Sequence, residues 1–128
     1  MPSRAKLLQY ALVVSGIAAL ALYPLSVVWP SGWAWHHGAA YESQYFMMIV
    51  GVYATLGVFL LRAARDPSAN TSLIWFTIWS SVVHAGIMAV QSFSAGDHMG
   101  HLVGDVPALL ILAVVLFALM PKKPAPGA

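Results

Sequence analysis

Chemistry in this chain has to come from few groups. The sequence holds five histidines, four acids, six basic residues and no cysteine. Without cysteine there are no disulfides, thiolate ligands or thiol redox steps. The segment GDHMGHLVGD, residues 96–105, sets Asp97, His98, His101 and Asp105 against an apolar run. On one continuous helix His98, His101 and Asp105 stand at i, i+3 and i+7 and share a face. His84 stands inside the preceding apolar run, where an imidazole is costly unless it is partnered. Met48, Met88 and Glu42 fall in the same region.

Three chemistries suit these residue types. His84, His101 and Asp105, with His98 and Glu42 at the rim, match the preferences of a divalent zinc or copper ion. Two imidazoles from facing helices, His84 and His101, also suit a haem iron. The third version needs no ligand: Asp105 hydrogen-bonds His84 and pins one helix against the next. No nucleophile with an adjacent base is spelled out, and the phosphate-loop, serine-hydrolase, zinc-protease and dinucleotide signatures are missing. No catalytic residue is assigned.

The elements that position these groups follow from composition. Hydrophobic residues make up 60% of the 128 and charged residues 8%, against about 25% charged in a soluble domain. Lipid must solvate most of such a surface. Apolar runs predict helices over about 7–28, 44–61, 71–91 and 98–120. The first is too long for a signal-peptide core and reads as a retained helix. The fourth is ambiguous. Begun at Val106 it has 15 residues, about 22 Å, which is short for a core of about 30 Å. Begun at His98 it has 23 residues, about 34 Å, with a bend at Pro107. The alternative makes Asp105 an N-cap, with Pro107 in the first turn.

Charge orients the runs. Arg4 and Lys6, Arg62 and Arg65, and Lys122 and Lys123 flank the spans on one side, which the positive-inside rule makes cytoplasmic. Glu42, Asp97, Asp105, His36, His37, His98 and His101 fall toward the other side, beside the tryptophans of WPSGWAWHHG. The fold class expected is an all-α membrane protein, four transmembrane helices in an antiparallel bundle with both termini cytoplasmic. It forms one domain over 1–120, and 121–128 is a disordered cytoplasmic tail. Small and weakly polar stripes predict the contact faces: Ser15, Ala19 and Ser26; Gln44, Met48, Gly51 and Thr55; Thr77, Ser81, His84, Met88 and Gln91. Leu60 and Leu116 are then expected to face lipid.

The segments YPLSVVWPSGWAW, VGVYATLGVFLLRAARDP, SLIWFTIWSSVVHAGIMAVQ and GHLVGDVPALLILAVVL resemble a family of small uncharacterised bacterial four-helix integral membrane proteins. The resemblance covers most of residues 20–119. It implies the fold and a bacterial inner membrane, and it implies no activity.

Three function classes result. The first is a non-catalytic accessory or assembly subunit of a larger membrane complex, partnered by lipid and by other membrane subunits or further copies of itself. The second is a metal- or haem-binding membrane protein using His84, His98, His101 and Asp105. The third is a small enzyme or proton-coupled carrier. No nucleic-acid partner is expected, because the net charge of +2 is accounted for by topology.

Overall fold

A computed structural model describes residues 1–30, 39–94 and 100–121, and of residues 100 and 101 the backbone alone. The described residues are helical, with no strand among them. Ser3 caps α1 (Arg4–Val28), its hydroxyl accepting from the Lys6 amide at 3.3 Å. That cap starts the helix three residues before the apolar run. Ser43 does the same for α2 (Gln44–Ala63), accepting from Phe46 at 3.3 Å. A turn built on Asp66 leads into α3 (Thr71–Ser94). The Asp66 carboxylate accepts from the Ala69 amide at 3.2 Å, and Asn70 reaches back to the Asp66 carbonyl at 2.8 Å.

The last helix is broken. A short α4 (Gly100–Val103) is followed by α5 (Asp105–Leu119), and the break falls at Gly104 (φ −103°, ψ −82°), not at Pro107. Pro107 has no N–H to give the Val103 carbonyl, so a continuous ladder across this point would lose a bond. As the third residue of α5, Pro107 sits where no intrahelical donor is needed. Asp105 lies in that first turn, where the helix dipole favours a carboxylate. One bent helix over 98–120 is thus replaced, within the described residues, by two segments.

Among the described residues three helices are long and apolar enough to cross a membrane, and α5 is a shorter apolar helix of 15 residues. Large apolar side chains are left exposed along every described helix, Val14, Val52, Trp79 and Ile111 among them, which suggests a lipid environment. Packing is uneven. α1 lies closely on α2 and α3 on α5, while α2 and α3 barely touch. Leu8, Leu12, Leu60, Ile74, Leu116 and Met120 form one buried cluster that joins all four long helices at a single end. At that end the Arg4 guanidinium donates to the carbonyls of Ala118 and Met120. A smaller cluster of Ala40, Phe46 and Val50, with Leu22 against it, closes the other end of the α1–α2 pair.

Two expectations about contact faces are corrected. Gly51 is exposed, and a Cβ placed there meets nothing within 4 Å. The close helix contact is made by Gly16 and Gly57 instead. Leu60 and Leu116 are 1% and 0% exposed, so both belong to the core and neither faces lipid. The inward face of α2 runs Phe46, Val50, Gly57, Leu60 and Ala63. The α3 stripe holds in its lower half, where Thr77 and Ser81 are buried, and Gln91 is exposed.

Candidate functional site

Uneven packing leaves a space. Between the α1–α2 pair and the α3–α5 pair lies a cavity of about 1090 Å³. Leu56, Leu109 and Leu112 form part of its depth, and the largely exposed Met48, Phe59 and Phe76 stand at its mouth. Because α2 and α3 hardly meet, the mouth opens sideways between two helices long and apolar enough to cross a membrane. The stripe Met48, Gly51 and Thr55, expected to touch another helix, lines this cleft.

A polar pair bridges the cleft. Tyr53 Oη and His84 Nδ1 are 2.8 Å apart, a hydrogen bond that crosses from α2 to α3. The two rings meet edge to face, with centroids 5.8 Å apart and an interplanar angle of 61°. Asp105 lines the same cavity from the start of α5, within electrostatic range of the Tyr53 phenol. Three hydroxyls on the walls are committed to their own helices. Ser15 donates to the Ala11 carbonyl at 2.6 Å, Thr55 to Gly51 at 2.9 Å and Ser80 to Thr77 at 3.3 Å. A hydroxyl bonded in this way satisfies itself in lipid and is not an activated nucleophile.

Of the candidate residues, the structure brings His84 and Asp105 to one cavity. Glu42 is exposed in the 3-10 turn Ala40–Glu42 and does not line it. His101 belongs to α4, and its side chain lies outside the described residues, as does the whole of His98. Among the described residues no group of three or more His, Cys, Asp or Glu side chains could hold a metal ion. Sequence reasoning missed Tyr53. Its signal was present, because Tyr53 falls on the stripe Phe46, Val50, Tyr53, Gly57, Leu60 at steps of four and three.

The tie between Tyr53 and His84 should be measurable. In a double-mutant cycle of Tyr53→Phe and His84→Ala we expect a coupling of about 0.6 kcal/mol, and at most about 1.7, as for hydrogen bonds between membrane helices. Strict additivity of the two single changes in detergent unfolding would mean that the contact contributes nothing.

The model of a family of unknown function, DUF6632, matches residues 2–124. The chain belongs to that family. No curated protein and no solved structure matches it. DUF6632 membership therefore agrees with the expectation of an uncharacterised family and carries no activity to this site.

Proposed function

We propose that this DUF6632 member is a multi-pass protein of the bacterial inner membrane, a non-catalytic accessory or assembly subunit of a larger membrane complex. Its working part is the cleft between the two helix pairs. The observation that supports a guest-binding cleft is the open α2–α3 side: a cavity of about 1090 Å³ reachable from the bilayer, mostly apolar along its walls, with the Tyr53–His84 hydrogen bond across it. Sites with that distribution bind guests and orient them by few polar contacts.

In the topology we propose, four antiparallel spans place both termini in the cytoplasm, and α4 with α5 completes the fourth span. Arg4, Arg62 and Arg65 support it by lying at the end closed by the common core cluster. Topology reporters fused at Ala128 should report cytoplasm, and reporters near Gly38 the outside. An external signal at Ala128 would turn the whole arrangement over.

A second reading is a metal- or haem-binding membrane protein built on His84, His101 and Asp105, favoured by the presence of His84 and Asp105 in one cavity. Gentle purification from native membranes without chelators separates the two. A stoichiometric membrane-protein partner is expected, with neither a Soret band nor bound zinc or copper. A chain that purifies alone with a Soret band or one equivalent of metal would replace the accessory role with the cofactor role.

A further inference from the structure

We infer that the cleft takes an amphiphile with one long apolar chain and an uncharged, oxygen-bearing head, bound with the head at Tyr53 and His84. This deepens the cleft-binding reading above and rests on it.

Size comes first. A cavity of about 1090 Å³ lies at the upper end of small-molecule sites, which span about 300–1,000 Å³. The lining of α2 runs from Phe46 to Leu60, roughly 21 Å of helix. The space is of a size that takes a chain-bearing small molecule.

Charge selects the head. Among the described residues that line the cleft, Asp105 carries the one formal charge, and no lysine or arginine is present. A phosphate or carboxylate head would enter a low-dielectric space with a like charge nearby and no cation to offset it. An ammonium head would meet one counter-charge, the exposed Asp105 carboxylate, but would give up its water shell at the level of Tyr53 and His84, where no second acid among the described residues lines the cleft. A hydroxyl or carbonyl head avoids both costs. The phenol and imidazole at the polar level can accept or donate as the tautomer adjusts, which suits neutral oxygen. The apolar walls then take the chain, and Met48 at the mouth is a flexible side chain that can move aside.

Gly51 supplies the test variant. It lines the cleft, and a Cβ added there meets no atom within 4 Å. Gly51→Phe therefore fills the cleft without disturbing a helix contact, and an unchanged melting temperature verifies that. The full-length protein in nanodiscs of neutral lipid at pH 8 is photolabelled with three diazirine probes of equal chain length: a fatty alcohol, a fatty acid and a fatty amine. We expect the alcohol to label α2 and α3 peptides about fivefold more than either charged probe, a preference of about 1 kcal/mol. Gly51→Phe should abolish that labelling, and Tyr53→Phe should erase the preference for the alcohol. Unlabelled monoacylglycerol or a long isoprenoid alcohol should compete, and whichever is stronger tells an acyl from an isoprenoid source. Failure of both to compete overturns the inference. If Gly51→Phe blocks all three probes but they label the wild type equally, the head assignment falls while the cleft reading stands. If the acid or the amine labels best, the head assignment falls likewise. If Gly51→Phe changes no probe, both fall together.

Discussion

Gly57→Leu should lower stability in detergent by about 3 kcal/mol, the upper end of overpacking penalties. A Cβ at Gly57 would stand 2.7 Å from the Gly16 carbonyl oxygen, and one at Gly16 would stand 2.9 Å from the Gly57 carbonyl oxygen. The clash is with backbone in both directions, so no side chain can turn away. Each carbonyl faces the other glycine's Cα, the arrangement in which weak Cα–H···O contacts add to dispersion at helix interfaces. Restoring clearance means moving α1 off α2, the most extensive contact in the fold. Gly51→Leu, in the same helix two turns away, is the matched control and should leave the melting temperature unchanged. Equal loss from both substitutions would show that bulk anywhere on α2 is harmful and that the Gly16–Gly57 contact has no special role.

Leu60→Ala and Leu116→Ala should each cost about 2–3 kcal/mol. Both side chains are essentially unexposed and belong to the cluster that joins the helix pairs. In lipid the removed methyls lose little transfer energy, because the surrounding solvent is itself apolar. What they lose is packing, together with the cavity left behind, which places the effect at the low end of the range for buried leucines. Ile111→Ala, on the exposed face of α5, should be nearly neutral. Thermal unfolding in one detergent compares the three directly, and an Ile111 effect as large as that of Leu116 would mean that α5 is rotated from its position here.

The sequence made some of this visible for physical reasons. Three spanning runs are legible because about 20 uninterrupted apolar residues have few other fates. The lower part of the α3 stripe is legible because small and weakly polar residues at steps of three and four let helices approach closely, and Thr77 and Ser81 are buried. The α2 face was not. Gln44, Met48, Gly51 and Thr55 form one stripe, and Phe46, Val50, Tyr53, Gly57 and Leu60 another, each with a glycine. In water polarity would choose between them. In lipid both faces are tolerated, and the choice belongs to shape: Gly57 has a glycine across from it and Gly51 has a cleft. The cleft itself was illegible, since an unequal spacing of helix pairs leaves no mark on periodicity. Asp105 as a helix start was the alternative reading of the sequence, while its place in one cavity with Tyr53 and His84 was not legible.

Arg4 ties the two ends of the chain together across 114 residues. The last turn of α5 has no basic residue of its own to meet its open carbonyls, so the terminus made last borrows its cap from the helix made first. Biogenesis inherits that dependence. The α1–α2 pair is made before α5, and α5, the short helix, gains this anchorage only when it arrives beside Arg4. Co-expressed halves cut between α2 and α3 should therefore find each other, and the half carrying α5 should be the one degraded when made alone.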